Sequence, residues 1–162
     1  EKTAKTITAF DPSIFVKIPI IKTNEESNSN VIKKLHYQNI KVNVTAIFTK
    51  QQIDSIKNCF GHETDVIVSV FSGRINDCGV HSADIIKYAS DAFKDYTNIK
   101  ILWAACRTVY NVVEAESQGA DIVTVPSDVL KRIHRLKESP YDASLKSVIQ
   151  FREDGLSAGL NF

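Results

Sequence analysis

The sequence is poor in cysteine, with three in 162 residues: Cys59, Cys78 and Cys106. They lie far apart and form no C-x-x-C motif, and the four histidines show no metal-ligand spacing. Neither a disulfide framework nor a metal site is therefore predicted, and a sparse, odd count favours reduced thiols. Cys106 precedes Arg107, but no base stands near it in sequence, so we expect an inert thiol.

Long apolar runs and an excess of one charge are also missing. The longest apolar run covers residues 101–106, far short of the roughly 20 residues that a membrane-spanning helix requires. No charged-then-apolar leader is seen at the start, so export is not expected. The net charge is +1 with both signs interspersed, which argues against a nucleic-acid or membrane surface. We expect a cytoplasmic protein.

No Asn-Gly hairpin signal occurs either, which disfavours antiparallel pairing. What is present is a succession of short apolar segments that alternate with amphipathic ones. The segments predicted as strands are 14–20, 41–48, 65–71, 99–105 and 121–125. Helices are predicted between them, as well as over 1–10 and 142–157. Strands that alternate with helices indicate an α/β fold with a parallel sheet.

Local signals refine the segments between the strands. A short amphipathic helix is predicted over 31–36, and Thr49 begins a capping-box pattern ahead of a helix that reaches Phe60. Residues 72–81 are predicted as a loop, and Ser82 as the N-cap of the next helix.

Polar residues inside the strands need an explanation, because parallel sheets are usually covered on both faces. In the second strand the apolar residues Val42, Val44 and Ala46 share one face, and the two polar residues between them share the other. If helices cover the apolar face, the opposite face collects four polar side chains: Lys17, Asn43, Thr45 and Ser69. An internal hydrogen-bond cluster is the simpler alternative for the last three.

Lys17 is the most unusual of these residues, because it lies within the short apolar run 15–20. A hydrated ammonium inside a strand is costly unless it is paired or used. Desolvation favours the neutral amine, which is the form that condenses with a carbonyl. The run therefore permits a Schiff-base lysine, although a solvated lysine on an edge strand explains Lys17 better when it is taken alone.

Two arginines follow predicted strand ends. Arg74 comes after the third strand, and Arg107 comes after the fourth, directly before Thr108 at a predicted helix N-terminus. Both should lie at the carboxyl edge of the sheet, where α/β proteins bind ligands. Two guanidiniums suit a phosphate by charge and by fork geometry. Ordinary surface ion pairs are the alternative for both.

Taken together, four motifs resemble the transaldolase family of class I aldolases, in its bacterial transaldolase-like branch. They are VKIP at 16–19, VNVTAIFT at 42–49, IVSVFSGRI at 67–75 and LWAACR at 102–107. They occur in collinear order over nearly the whole chain, followed by IVTV at 122–125 and the final helix. The resemblance implies one partial (β/α)8 barrel domain over residues 1–162.

The family transfers a dihydroxyacetone unit between sugar phosphates through a lysine Schiff base, with no cofactor or metal. The resemblance implies that Lys17 forms this Schiff base on the fourth barrel strand. Asn43 and Thr45 on the fifth strand would hold the bound three-carbon unit and the catalytic water.

The resemblance also implies the groups that bind the substrate. Ser69 would contact the donor hydroxyls, and Arg74 and Arg107 would grip the phosphate. Ala105 stands where the family often has serine, which removes one such contact. Phe71 stands where fructose-6-phosphate aldolases tend to carry tyrosine, which favours transfer over release of free dihydroxyacetone.

Part of the family's machinery has no counterpart in this sequence. A (β/α)8 barrel takes about 250 residues, and numbering from Lys17 leaves strands four to eight here. The catalytic Asp of strand one and Glu of strand three are missing, so a slow Schiff base is expected at best. A non-catalytic sugar-phosphate-binding fragment is the alternative. Besides sugar phosphates, the open possibilities for partners are a second copy of the chain and a polypeptide that completes the barrel.

Overall fold

Five parallel strands form one sheet in the computed structural model, which describes residues 1–160. In chain order they are β1 (Val16–Pro19), β2 (Val42–Ile47), β3 (Val66–Val70), β4 (Ile99–Trp103) and β5 (Ile122–Val123). Each strand pairs with the next one along the chain, which is the order of strands in a (β/α)8 barrel. The predicted α/β class is confirmed. The predicted domain also includes 161–162, which lie outside the described residues.

Helices lie between the strands and at both ends of the described chain. They are α1 (Lys2–Phe10), α2 (Ser29–His36), α3 (Lys50–Asp54), α4 (Ser72–Asp77), α5 (Ala83–Ala92), α6 (Tyr110–Ser117), α7 (Ser127–Leu130) and α8 (Pro140–Ser157), with a 3-10 helix over Ile133–Lys137. Within residues 1–160, none of these helices has the length and apolar character needed to cross a bilayer.

One predicted helix end is wrong, and one predicted N-cap lacks its capping bond. Thr49 forms the predicted capping box with Gln52, but α3 ends at Asp54 instead of reaching Phe60. The Ser55 hydroxyl donates to the Gln52 carbonyl at 2.7 Å, a local bond that competes with continuation of the helix. Ser82 precedes α5 as predicted, yet its hydroxyl makes no capping bond.

The predicted loop over 72–81 is also wrong, because α4 occupies its first half. The Phe71 carbonyl accepts the N–H groups of Arg74 and Ile75 at 2.9 and 3.0 Å, and Ile75 is buried. Gly73 and Asn76 are poor helix formers. Tertiary burial of Ile75 therefore outweighs a local sequence that favours a turn.

The apolar core lies between the sheet and the helices. Strand residues of one parity are fully buried there: Val42, Val44, Val66, Val68 and Val70. Residues of the other parity include the exposed Lys17 and Lys100 and the half-buried Asn43. One face of the sheet is thus covered by helices, and the opposite face, called here the inner face, is open at these positions.

Strand β2 departs from the predicted alternation. Its pairing with β3 shifts register between Val44 and Ile47, and Ala46 has a φ of 58°, in the left-handed region. This bulge places Ile47 on the apolar face, where it is fully buried and pairs with Val70. The predicted grouping of Ala46 with Val42 and Val44 is therefore wrong.

His36 is a buried titratable group at the end of α2. It is 2% exposed, and its Nε2 accepts the Gly61 N–H at 2.8 Å. The rings of Tyr37 and Phe60 meet it edge-on. Burial lowers the pKa of His36 below the ordinary value of about 6.5.

The pKa of His36 makes the stability of the chain sensitive to acid. We expect the free energy of unfolding to fall from pH 7 to pH 5, because the unfolded chain takes up a proton that the folded chain resists. One such group contributes a slope of at most about 1.4 kcal/mol per pH unit. Urea unfolding at pH 7 and at pH 5 measures this slope. His36→Gln should flatten the slope, and His62→Gln, at an exposed histidine, should not. Equal slopes in all three proteins would contradict the prediction.

Candidate active site

The polar residues of the first three strands meet on the inner face. Lys17 is in register with Asn43, and the Ser69 hydroxyl donates to Asn43 Oδ1 at 2.7 Å. Because Oδ1 is occupied, the amide nitrogen of Asn43 remains as a donor. The Thr45 hydroxyl is buried and has no hydrogen-bond partner among the described residues. The sheet therefore brings together three of the four residues predicted from strand parity, and Thr45 follows two residues after Asn43 in the same strand, beside Pro19.

Phe71 links Lys17 to an arginine at the carboxyl end of β3. The ammonium of Lys17 lies 5.8 Å from the centroid of the Phe71 ring, and the guanidinium carbon of Arg74 lies 5.3 Å from it. The Phe48 ring packs against Phe71 with centroids 5.8 Å apart. Both cations are within the range of a cation–π interaction, so one aromatic ring holds the two groups in the same region.

The desolvated lysine expected from the apolar run is not observed. Lys17 is exposed, since the apolar neighbours Val16 and Ile18 take the opposite parity, toward the helices. Among residues 1–160 its ammonium makes no ion pair and no hydrogen bond. The amine is therefore sterically accessible to a ligand on the inner face.

Arg107 reaches the same edge of the sheet from the end of β4. Its backbone N–H donates to Asn111 Oδ1 at 3.0 Å, and its Nη2 donates to Asp77 Oδ2 at 3.0 Å. Its Cγ is only 3.2 Å from where a Cβ on Gly73 would lie. Since Gly73 directly precedes Arg74 in α4, the two predicted phosphate-binding arginines lie on adjoining segments, and both are exposed.

Cys106 lies beside this site without taking part in its polar contacts. It is buried, and burial raises the pKa of its thiol. Its Sγ is 3.2 Å from the Thr108 carbonyl oxygen. A buried thiol of raised pKa is a poor nucleophile, in agreement with the expectation of an inert residue. Within the described chain, no cluster of three or more His, Cys, Asp or Glu is placed to hold a metal ion.

Sequence reasoning missed three polar residues of this region. Asp77 fell in the predicted loop, and Asn111 fell inside a predicted helix, so neither was considered. Lys100 lies on the inner face with Leu102, in register with Ile67, and pairs with Asp121 at 3.2 Å. The alternation along β4 was the signal that could have revealed Lys100.

A known protein family matches almost the whole chain. The family described as transaldolase/fructose-6-phosphate aldolase matches residues 1–159. The chain belongs to this family. The resemblance predicted from the four motifs is thereby confirmed, and with it an enzyme family whose fold is the (β/α)8 barrel. The five consecutive parallel strands fit part of such a barrel.

Curated relatives of this transaldolase-family chain are longer than the chain itself. A probable transaldolase of Caldicellulosiruptor saccharolyticus is 32% identical over 147 residues, which cover 88% of this chain and 64% of the relative. One from Nitrosopumilus maritimus is 33% identical over 132 residues, 80% of this chain and 55% of the relative. One from Bartonella henselae is 28% identical over 163 residues, 99% of this chain and 68% of the relative. The chain therefore spans roughly three fifths of these proteins' length.

Gly73 permits the close approach of α4 to the end of β4. A Cβ at this position would lie 1.7 Å from the Ala105 carbonyl oxygen. We expect Gly73→Ala to displace Arg74 and to lower the free energy of unfolding by about 1–3 kcal/mol or more, as measured by urea denaturation. Gly61→Ala is the matched control, because its Cβ would meet no atom closer than 3.7 Å. Equal stability of the two variants would contradict this reading of Gly73.

Proposed function

We propose that this chain carries the Schiff-base lysine and the phosphate-binding arginines of a transaldolase. In this reaction the Lys17 amine attacks the carbonyl of a ketose phosphate, and a dihydroxyacetone unit passes to an aldose phosphate. The observation that carries the proposal is the convergence of Lys17, Arg74 and the Asn43–Ser69 pair around the carboxyl end of β3. Family membership supports the reaction class.

The proposed steps assign one task to each inner-face group. The Lys17 amine adds to the ketose carbonyl, and loss of water gives the iminium. Cleavage of the bond between the α and β carbons, with loss of the β-hydroxyl proton to water, releases an aldose phosphate and leaves an enamine on Lys17. The enamine attacks a second aldose phosphate, and hydrolysis then frees the new ketose and the lysine. The Asn43 amide, oriented by Ser69, would donate a hydrogen bond to a hydroxyl of the ketose substrate. The Thr45 hydroxyl, which has no partner among the described residues, would hold the water that hydrolyses the Schiff base.

The arginines would hold the phosphate of the substrate. A phosphate offers several oxygens to planar guanidinium forks, which bind it more specifically than an ammonium does. Arg74 is held against Phe71 and Arg107 against Gly73, on either side of the junction between α4 and β4. A phosphate bound there would leave the sugar chain directed toward Lys17.

Acid–base groups are the missing part of this proposal. Among residues 1–160, no carboxylate makes a hydrogen bond or ion pair with Lys17, Asn43 or Thr45. Proton transfer by a positioned group is commonly worth about 10²–10⁴-fold in rate. We therefore propose slow Schiff-base formation by this chain alone. This observation also favours the second candidate function, a sugar-phosphate-binding module without turnover.

Trapping of the Schiff base tests the proposal. We expect the 162-residue chain, incubated with fructose 6-phosphate and sodium borohydride, to acquire a reduced adduct on Lys17 that peptide mass mapping locates. Lys100 lies on the same face but is paired with Asp121, so it serves as an internal control and should remain unmodified. Unphosphorylated fructose should label Lys17 less, because it offers nothing to the arginines.

An adduct on other lysines alone would contradict the proposal. Phosphate-dependent binding of fructose 6-phosphate with no adduct would favour the non-catalytic binding module. The Lys17→Arg variant should lose the adduct while keeping the positive charge, which separates nucleophilic reaction from simple binding.

Phe71 bears on which of the family's two reactions is catalysed. Its side chain has no hydroxyl to pass a proton, so we propose transfer rather than fructose-6-phosphate aldolase activity. Any product formation by the chain should then depend on an aldose-phosphate acceptor. Phe71→Tyr should increase the share of free dihydroxyacetone, measured enzymatically with and without acceptor. Equal release of dihydroxyacetone by the unaltered chain in both conditions would establish the aldolase instead.

A further inference from the structure

Asp77 is an acidic residue at the arginine-rich end of the candidate active site, and the proposed function gives it no task. It is the last residue of α4, the helix that also carries Arg74. Its Oδ2 accepts a hydrogen bond from Arg107 Nη2 at 3.0 Å. One carboxylate therefore ties the two arginine-bearing segments together.

The Asp77–Arg107 ion pair contributes little to the stability of the fold. Both side chains are more than half exposed, 55% for Arg107 and 59% for Asp77. Exposed pairs of this kind contribute little to folding, because water screens the charges and two long side chains must be ordered. The contact is better explained by what it does to the guanidinium.

The remaining contacts of Arg107 fix its backbone and stem but not its head group. Asn111 Oδ1 accepts the backbone N–H groups of Arg107 and Thr108 at 3.0 and 3.1 Å. The Cγ rests beside Gly73. Among the described residues, Asp77 is the side chain that bonds the guanidinium.

The geometry of this contact leaves room for a ligand. A guanidinium carries five N–H donors in a planar fork, and the bond to Asp77 uses Nη2 alone. Nε and Nη1 remain available for an anion. The Asp77 carboxylate therefore orients the guanidinium and still leaves donors free to bind an anion.

We propose that Asp77 is a positioning residue for phosphate-bearing substrates. It holds the Arg107 guanidinium beside α4 so that this group and Arg74 act on the same phosphate. Pre-organisation of one long side chain saves the ordering cost that binding would otherwise incur, worth about two- to tenfold in affinity. The inference deepens the proposed function and rests on it.

Titration of the 162-residue chain with inorganic phosphate tests this role. Amide shifts of Gly73 and Arg107, followed by NMR at constant ionic strength, report binding. We expect Asp77→Ala to weaken phosphate binding about two- to tenfold, and Asp77→Asn, which keeps an acceptor oxygen, to recover most of the loss. Asp91→Ala is the matched control, because Asp91 is also 59% exposed and paired with a neighbouring cation, Lys87, and it should have no effect.

A second readout separates positioning from a general structural role. Borohydride trapping of Lys17 with unphosphorylated dihydroxyacetone should be the same in wild type and Asp77→Ala. Trapping with fructose 6-phosphate should require a higher concentration in the variant. Loss of Lys17 trapping with both compounds in Asp77→Ala would show that Asp77 maintains the fold and would overturn the proposal.

Three results of the phosphate titration would also overturn it. Tighter binding by both Asp77 variants would show that the carboxylate competes with phosphate for Arg107. Unchanged binding would show that the ion pair has no part in recognition. Failure of the wild-type chain to bind phosphate would remove the anion site and the role of Asp77 together, while dihydroxyacetone trapping at Lys17 would still decide the Schiff-base part of the proposed function.

Discussion

The candidate site depends on the burial of one face of a parallel sheet. Apolar residues of one parity in β2 and β3 are fully buried under the helices, so their neighbours must face the other way. Because β1 and β2 pair in register, Lys17 and Asn43 are brought side by side. A slip of one residue would turn these polar groups into the core. The same burial that stabilises the sheet therefore also sets the positions of the candidate site residues.

The carboxyl end of the sheet departs from regular geometry at two alanines. Ala46 and Ala105 have φ values of 58° and 60°, a region that costs roughly 1–2 kcal/mol for a residue with a side chain. The first lies in the bulge that follows Thr45, and the second lies against Gly73. Strain of this kind persists only where the surrounding contacts demand it. Here it accompanies the bulge beside Thr45 and the segment that leads from β4 to Arg107.

Strand positions and the polar inner face were predictable from sequence because alternation is a local property. The bulge was not, since Ala46 carries no signal for a left-handed conformation. Helix α4 was not predictable either, because Gly73 and Asn76 weaken its helical tendency and the packing of Ile75 compensates. The positions of Arg74 and Arg107 followed from their strand ends. The partner of Arg107 could not be predicted, because its bond to Asp77 joins residues far apart in sequence.

The exposure of Lys17 limits the chemistry that the described residues can support. The inner face and the adjoining edge of the sheet offer an accessible amine, an oriented amide and two guanidiniums, and the proposed binding of a ketose phosphate rests on these groups. Neither water exclusion nor a proton-transferring carboxylate is supplied at Lys17 by residues 1–160. Both contribute most in the steps after the first addition, where charge develops and protons move. In the proposed function, binding and condensation therefore rest on the residues of this site, and efficient turnover would require further groups that cover the inner face.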